Sequence, residues 1–202
     1  MAFNLEPRPS WLGDLCGQGL FVASGRVPAG AVVAIYRGDK LTTKEVFAMR
    51  RAASTSSESA GGGYLMKLGF VEGSGIIWVD AESDLTITAR YINDALSPIA
   101  VNVRFDKDPQ TNTANVVALR DIVAGEELFV DYGKAYWRGS DVKPSRMSSL
   151  LLGQKYHEIK AQSEVDLPSP DMLALENAYT LHLAKKLKEG DNTTTSTSTT
   201  IK

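Results

Sequence analysis

The segment 125–133 constrains the fold of this chain more than any other stretch of its sequence. It reads Gly-Glu-Glu-Leu-Phe-Val-Asp-Tyr-Gly, so that an apolar, β-type run ends in an Asp-Tyr-Gly turn. Such a turn carries the phenol of Tyr132 to the end of a strand, where loops gather and active sites are commonly built. Tyr132 is therefore the first candidate for a catalytic residue.

Composition sets the class of protein. The chain has 202 residues, 43% of them hydrophobic, which suffices for one substantial core and favours one domain with appendages. Residues 1–10 lack the apolar run of a signal peptide, and no window has the apolar length that a bilayer requires. A formal net charge of -2 gives no overall attraction to nucleic acid or to anionic membranes. We therefore expect an intracellular protein, nuclear or cytoplasmic, with neither a membrane nor a direct nucleic-acid partner.

The small number of cysteine and histidine residues predicts a functional site without a metal ion. One cysteine, Cys16, and two histidines, His157 and His182, cannot fill a cysteine-based structural zinc site. Both histidines lie in predicted C-terminal helices, away from the segment 125–133, where a structural or surface role is expected. A single cysteine also excludes an intramolecular disulfide, which favours a reducing compartment.

A β-rich body followed by helices is predicted from the periodicity of the apolar residues. Short β-type runs predict strands at 20–23, 31–36, 64–68, 76–80, 100–105, 115–119 and 129–132. Helices are predicted at 41–51, 147–161 and 170–188, the last of them capped by Ser169. The domain plan is an N-terminal extension (1–13), a main domain (14–137) with a flexible insert at about 52–63, a helical extension (138–190) and a disordered Thr/Ser tail (191–202).

Further motifs accompany the segment 125–133 in order along the chain. They are Gly17-Gln18-Gly19-Leu20-Phe21, the stretch 32–41 with Tyr36-Arg37-Gly38-Asp39, Arg90-Tyr91-Ile92-Asn93, the stretch 118–122 and Tyr136-Trp137. Together they resemble the SET domain, a family of protein-lysine methyltransferases that use S-adenosyl-L-methionine. The resemblance runs from about 14 to 137. It implies a mainly β fold with α-helices, in which small curved β-sheets meet a knot-like C-terminal segment and C-terminal helices follow.

The resemblance implies a binding site for S-adenosyl-L-methionine. Its residues are Gly17, Gln18, Gly19, Leu20, Tyr64, Arg90, Asn93 and Asp94. A glycine turn lets the backbone approach a ligand closely and point N–H groups at its carboxylate. The amide of Asn93 offers two donors and one acceptor to a zwitterionic ligand. Without the resemblance, the glycine pair also fits a hairpin or bulge, and Asn93 also fits a turn that bonds its own backbone.

The resemblance also implies a channel for a substrate lysine. Its residues are Tyr36, Val117, Tyr132, Tyr136 and Trp137, with Tyr132 as the catalytic residue. Lysine has a reference pKa of about 10.4, so it must lose a proton before it attacks a methyl group, and desolvation beside a sulfonium favours that loss. A phenol oxygen can orient the lysine nitrogen while its dipole meets the moving charge. The channel tyrosines also fit core positions, and Tyr136-Trp137 also fits a packed clasp.

Departures from the family pattern leave alternatives open. Asp94 stands where the family usually has histidine, and Ala95-Leu96 replaces the usual Ser-Cys. A carboxylate only accepts hydrogen bonds, so the chain fits either an active enzyme or a catalytically inactive SET-like interaction module. A small β domain with a helical dimerisation tail is a third reading, outside the family. The expected partner is a protein that presents a lysine, histone or non-histone; the target, the number of methyl groups and the oligomeric state stay open.

Overall fold

The computed structural model of the chain describes residues 2–53, 63–138, 146–162 and 169–194, with side chains as far as residue 187 in the last range. The chain falls into two compact units, Met1–Arg146 and Met147–Lys202. The predicted insert and the predicted tail lie for the most part outside the described residues. None of the described helices is long and apolar enough to span a membrane.

Small antiparallel sheets make up the body of the first unit. Its strands are β1 (Asn4–Pro9), β2 (Gln18–Ser24), β3 (Arg26–Val27), β4 (Val32–Tyr36), β5 (Asp39–Thr42), β6 (Leu65–Val71), β7 (Gly75–Asp80), β8 (Val103–Asp108), β9 (Thr113–Ala118) and β10 (Ile122–Val123). They pair as β1-β2, β3-β10, β4-β9-β8 and β5-β7-β6. The strands predicted between residues 20 and 119 are therefore present, with shifted bounds, and the mainly β architecture with helices is confirmed.

Short helices lie between these strands and after the last of them. They are α1 (Thr43–Ala53), α2 (Lys134–Trp137) and the 3-10 turns Asp14–Cys16 and Thr88–Tyr91. A reciprocal cap starts α1, because the N–H of Thr42 donates to Glu45 Oε2 at 2.7 Å while the N–H of Glu45 reaches Thr42 Oγ1 at 3.4 Å. The helix predicted at 41–51 therefore begins after Thr42.

Buried aliphatic side chains from several sheets form the core of the first unit. Fully buried members are Leu20, Val22, Val27, Val79, Val103, Val116, Ile122 and Leu128. Burial of each such side chain contributes about 1.5–3 kcal/mol relative to exposure. Tyr132 packs against this core from its edge, so the core holds the candidate catalytic residue from one side.

The strand predicted at 129–132 is wrong. Only isolated bridges form here, antiparallel between Phe21 and Glu127 and parallel between Asn93 and Phe129. The backbone changes partner at almost every residue: the N–H of Leu128 bonds Leu20, and the N–H of Val130 bonds Asn93, at 2.7 and 3.0 Å. A segment threaded between unlike partners builds no ladder. The knot-like crossing of this segment stays a prediction.

The N-terminal segment forms a strand that the sequence analysis did not predict. β1 pairs with β2 from Asn4 opposite Ser24 to Pro9 opposite Gln18. Prolines are tolerated in β1 because it is an edge strand of a two-stranded sheet. β1 leads directly into Ser10, whose side chain is buried.

A pair of helices, α3 (Ser149–Gln162) and α4 (Pro170–Thr194), forms the described part of the second unit. These confirm the helices predicted at 147–161 and 170–188, and α4 runs into the segment predicted to be a tail. Ser169 caps α4 as predicted, because its hydroxyl accepts the N–H of Met172 at 3.2 Å.

The two helices of the second unit approach closely. At Gly153 an added Cβ atom would lie 2.3 Å from the carbonyl oxygen of Leu175, so only glycine fits there. The buried carboxylate of Glu176 contacts His157 Nδ1 at 2.9 Å and Lys160 Nζ at 3.2 Å. His157 therefore joins one helix to the other.

We expect Asn102→Ala to destabilise the first unit by about 2–4 kcal/mol, because two buried backbone groups each lose a partner. The side chain of Asn102 is buried, donates to the carbonyl of Glu127 at 2.8 Å and accepts the N–H of Phe129 at 2.8 Å. Urea unfolding followed by tryptophan fluorescence measures this loss, since all three tryptophans lie in the first unit.

The matched control is Asn4→Ala, which removes an exposed side-chain hydrogen bond to Ser24. It is expected to change the free energy of unfolding by no more than about 0.5 kcal/mol. Equal unfolding midpoints for Asn102→Ala and Asn4→Ala would show that Asn102 does not support the segment after β10.

Candidate active site

One cavity of the first unit gathers residues from three separate sequence motifs. This glycine-turn cavity has a volume of about 570 Å³. The described residues that line it are Leu15, Cys16, Gly17, Gln18, Gly63, Tyr64, Arg90, Tyr91, Asn93, Asp94, Tyr132, Tyr136 and Trp137. Gly17, Asn93 and Tyr132, which are far apart in the sequence, thus share one cavity.

The two glycines of the opening motif are required for different reasons. Gly17 has φ 60° and ψ -115°, a conformation that side chains with a Cβ atom rarely adopt. An added Cβ atom on Gly19 would lie 2.0 Å from Glu127 Oε1. Gly17 therefore shapes the turn beside the cavity, whereas Gly19 makes room for a carboxylate behind it.

Glu127 supplies that carboxylate, in a fully buried position. Its Oε1 accepts the hydroxyl of Ser10 at 2.7 Å and the amide Nδ2 of Asn93 at 3.2 Å. Its Oε2 accepts the backbone N–H of Trp11 at 2.7 Å. A buried carboxylate is tolerable only with such donors. Glu127 therefore ties the N-terminal segment and the Asn93 segment to the same point.

Asn93 faces the cavity with its amide already oriented. Its Nδ2 group donates to the carbonyl of Gln18 at 3.0 Å as well as to Glu127. Since these two bonds use the donors of the amide, its Oδ1 atom keeps acceptor capacity for a ligand. An ammonium group is the complementary donor.

Arg90 brings a buried positive charge to the cavity wall. Its side chain is only 8% exposed, and its guanidinium lies 4.0 Å from the ring centre of Tyr64. Its Nε atom has no hydrogen-bond partner among the described residues. A buried unpaired N–H is costly, so this atom suits a ligand carboxylate.

Asp94 uses its carboxylate as an acceptor for three N–H donors. Oδ2 accepts the backbone N–H of Tyr132 at 3.0 Å and the indole Nε1 of Trp137 at 2.8 Å. Oδ1 accepts the N–H of Leu96 at 2.7 Å. Asp94, which departs from the family pattern, therefore holds the backbone N–H of Tyr132, the candidate catalytic residue. The three N–H donors around Asp94 require an acceptor at this position.

Tyr132 lies in an aromatic cluster with a buried hydroxyl contact. Its hydroxyl donates to the carbonyl oxygen of Ile92 at 2.6 Å, and the ring of Tyr136 lies 4.5 Å away, centre to centre. Burial, and secondly the phenols of Tyr136 and Tyr36, raise the pKa of Tyr132 well above its ordinary value. The phenol is therefore neutral near pH 7, and its oxygen can accept a hydrogen bond while its hydrogen is donated to Ile92.

A second cavity, the strand-edge cavity, is also lined by Tyr132 and has a volume of about 690 Å³. It runs between β6 and β8, and its described lining includes residues 65–68, Val103, Phe105 and Lys107. Tyr36 also lines it and donates its hydroxyl to the carbonyl of Tyr64. Burial, and then the charge of Asp80, raise the pKa of Tyr36 above its ordinary value.

The two cavities share a wall. Residues that line both are Gly63, Tyr64, Arg90, Tyr132 and Tyr136. A ligand in one cavity and a side chain in the other would therefore meet at Tyr132. This arrangement suits a transfer reaction between a molecule in one cavity and a molecule in the other.

Some of the predicted site residues lie outside both cavities. Leu20 is a fully buried core residue, and Gly19 lies beneath Glu127. Val117 is 6% exposed within β9, where it pairs with Val32 and Arg104, and it lines neither cavity. Trp137 lines the glycine-turn cavity rather than the strand-edge cavity.

Sequence reasoning missed several contributors. Cys16 lines the glycine-turn cavity, and burial, then the charge of Glu127, raise the pKa of its thiol. The thiol is therefore protonated and a weak nucleophile at neutral pH. Cys16 could have been predicted as a lining residue because it directly precedes Gly17 of the glycine motif. Glu127 belongs to the segment 125–133, which the sequence analysis singled out. The residues near it in the sequence do not indicate that its hydrogen-bond donors include Ser10 and Trp11.

The chain is similar to known proteins in both sequence and fold. The family model described as SET domain matches residues 17–133. The chain is similar to the methyltransferase domain of human PR domain-containing protein 2, with 19% identity and a TM-score of 0.46 over 71% of this chain and 82% of that chain. It is similar to CpSET8 from Cryptosporidium, with 21% identity and a TM-score of 0.50 over 64% of this chain and 57% of that chain.

A third similar structure is that of ctPRC2 in complex with H3K27me3 and H3K27M, with 30% identity and a TM-score of 0.52 over 73% of this chain. The match covers 17% of that chain, so the likeness concerns one part of a larger protein. No curated protein sequence matches the chain.

The acceptor role of Asp94 leads to a prediction with three variants. Asp94→Ala is expected to destabilise the first unit by about 3 kcal/mol or more, because three N–H donors lose their acceptor. Asp94→Asn keeps one acceptor oxygen and should cost less. Asp94→His is expected to destabilise too, since an imidazole has at most one acceptor nitrogen for three donors. Urea unfolding followed by tryptophan fluorescence measures all three.

Asp14→Ala is the matched control, since Asp14 is an exposed carboxylate outside both cavities, and its loss should be nearly neutral. Full stability of Asp94→His would contradict the acceptor role, because an imidazole cannot accept all three N–H groups. This variant carries the residue that is usual in the family at this position.

Proposed function

The chain belongs to the SET domain family, and from that membership we propose that it is a protein-lysine methyltransferase. In this proposal it transfers a methyl group from S-adenosyl-L-methionine to a lysine side chain of a protein substrate. The observation that carries the proposal is the shared wall of the two cavities, with the hydroxyl-bearing ring of Tyr132 in it. The methyl donor belongs in the glycine-turn cavity and the lysine in the strand-edge cavity.

The residues of the glycine-turn cavity fit the methyl donor chemically. The unpaired Nε of Arg90 suits its carboxylate, and the Oδ1 atom of Asn93 suits its ammonium group. The turn at Gly17 supplies backbone groups without a side chain in the way. Tyr136 and Trp137 offer aromatic faces for the adenine. When bound, S-adenosyl-L-methionine supplies an electrophilic methyl group on a sulfonium.

On the other side, the walls of the strand-edge cavity prepare the lysine. Apolar and aromatic groups such as Phe105 and Tyr36 remove water from the lysine stem, and desolvation lowers the pKa of its ammonium group. The amine thus loses its proton more readily, and that proton leaves to solvent. This requires no dedicated base.

Tyr132 acts in this proposal as a positioning acceptor in its neutral form. Its hydroxyl hydrogen is engaged by the carbonyl of Ile92, so the phenol oxygen presents a lone pair to an N–H of the neutral amine. This contact aims the nitrogen lone pair at the shared wall. Positioning of both reactants as a whole supplies on the order of 7 kcal/mol or more of barrier reduction in good cases, and this contact is one part of it.

We expect Tyr132→Phe to lower the rate of methyl transfer by about 10²–10³-fold, because the amine loses its hydrogen-bond acceptor. Binding of S-adenosyl-L-methionine is expected to change little, since the carboxylate and ammonium partners remain. A radiolabelled methyl-donor assay on histones and on cell lysate measures transfer, and calorimetry measures cofactor binding.

Tyr179→Phe is the matched control, because it removes a phenol in the second unit and should leave both readouts unchanged. Equal loss of binding and transfer in Tyr132→Phe would make Tyr132 structural. Absence of any heat of cofactor binding to the unaltered protein, with retained protein binding, would support an inactive interaction module instead.

The raised pKa of Tyr132 gives a prediction for the pH dependence. Between about pH 7 and pH 9 the rate should rise, because a lysine with a reference pKa of about 10.4 becomes increasingly neutral. Since a raised pKa extends the neutral form of the phenol to higher pH, Tyr132 does not ionise in this window. The slope of log(kcat/KM) against pH should therefore be the same in the unaltered protein and in Tyr132→Phe.

A slope that disappears in Tyr132→Phe would show instead that the phenol is ionised in the reaction and acts as a base. The measurement uses one peptide substrate and a constant ionic strength, because surface charges respond to salt.

A further inference from the structure

The strand-edge cavity has an uneven distribution of charge. Its described lining contains the cationic side chains Arg50, Lys67, Arg90, Arg104 and Lys107. The anionic side chain in that described lining is Asp131. The whole chain has a formal net charge of -2, so this cationic lining is a local feature.

The five cations differ in their availability. Arg104 is paired with Asp106, at 2.7 and 2.9 Å, and Arg90 is buried against Tyr64. Lys67 and Lys107 are exposed and form no ion pair within the described residues. They are the charges left over for a ligand.

Lys67 and Lys107 lie on opposite borders of the cavity. Lys67 is on β6 and Lys107 is on β8, each an edge strand of its own sheet. Close approach of these borders is seen at Gly69, where an added Cβ atom would lie 3.1 Å from Pro109 Cγ. Although Lys107 is an exposed residue, partial burial of its amine, and secondly the charge of Lys67, lower its pKa. Two like charges therefore line one cavity, and neither forms an ion pair within the described residues.

Arg50 adds a third cation from a separate element. It lies in α1, and its guanidinium is 5.7 Å from the ring centre of Trp78, which lines the same cavity. In contrast, Asp131, which directly precedes Tyr132 in the sequence, lines this cavity but not the glycine-turn cavity. The described lining of the strand-edge cavity therefore carries more positive than negative side chains.

We propose that the strand-edge cavity binds a substrate segment in which the target lysine is flanked by aspartate or glutamate, and that Lys67, Lys107 and Arg50 contact those carboxylates. This inference rests on the proposed function for the identity of the central lysine. A lysine- or arginine-rich segment is disfavoured, because its flanking cations would face the same three side chains.

A peptide fits the cavity better than a nucleic acid does. Leu68, Val103 and Phe105 give its lining an apolar part between the two strand edges, which suits the side chains of one extended chain. Nucleic-acid surfaces extend their positive charge over a whole face, whereas this chain has an acidic pI near 5.7.

The test measures binding, which does not depend on methyl transfer. Fluorescein-labelled peptides of equal length carry one central lysine flanked by Glu and Gly, by Gln and Gly, or by Arg and Gly, and a labelled single-stranded oligonucleotide is a fourth probe. Anisotropy titration of the full chain is expected to give about fivefold tighter binding for the glutamate peptide than for the glutamine peptide, from exposed ion pairs. Added salt should reduce the difference.

A pair of charge reversals tests the assignment of residues. Lys67→Glu with Lys107→Glu is expected to abolish the preference for the glutamate peptide and to favour the arginine peptide. The matched control is Lys40→Glu with Lys44→Glu, which changes the net charge equally at exposed lysines outside the cavity and should keep the original preference. Cooperative urea unfolding of both double variants confirms that they are folded.

Each result decides one question. Tightest binding of the arginine peptide or of the oligonucleotide by the unaltered chain would overturn the inference, as would an unchanged preference in the Lys67/Lys107 double variant. Preference for the glutamate peptide without methylation of any peptide would leave the acidic-segment site standing and count against the proposed function. Methylation of the arginine peptide in preference to the others would support the proposed function and count against the acidic-segment site.

Discussion

The buried carboxylate of Glu127 is the interaction on which the site depends. A charge in this position costs several kcal/mol unless donors surround it, and its donors come from residues more than a hundred positions earlier in the chain and from Asn93. The same carboxylate occupies the space that a side chain at Gly19 would need. One negative group thus fixes the N-terminal segment, the glycine turn and the Asn93 amide relative to one another.

Asp94, which lines the cavity, repeats this principle with a second buried carboxylate. Its carboxylate gathers N–H groups of Leu96, Tyr132 and Trp137, so that two acidic residues organise donors rather than paired cations. Because neutral donors satisfy these carboxylates, Arg90 forms no ion pair with an acid in the part of the chain that the structure describes, and its Nε is unpaired there. The structure therefore keeps one positive group for a ligand instead of using it for its own stability.

The parts of the site that were predictable from sequence are those carried by local patterns. Glycine turns, the Asp-Tyr-Gly end and most strands have short signatures, and Gly17, Asn93 and Tyr132 indeed line one cavity. What was not predictable depends on partners distant in the chain. The segment 129–132 was read as a strand because its residues are β-type, yet its backbone partners belong to different segments. Likewise, the apolar pattern of Leu20 and Val117 does not reveal whether such a residue faces the core or a ligand.

The cationic border of the strand-edge cavity links the proposed selectivity to the proposed chemistry. Like charges near an ammonium group lower its pKa, and methyl transfer requires a neutral amine. Arg90 lies in the wall shared by both cavities, where the proposed function pairs it with the carboxylate of the methyl donor, so the donor's sulfonium would be the positive charge that disfavours a protonated lysine beside Tyr132. Acidic flanking residues would neutralise Lys67 and Lys107 at the borders without reaching Arg90, which is buried under Tyr64. The substrate would therefore be held by opposite charge along its length, while its target nitrogen enters surroundings that favour loss of the proton.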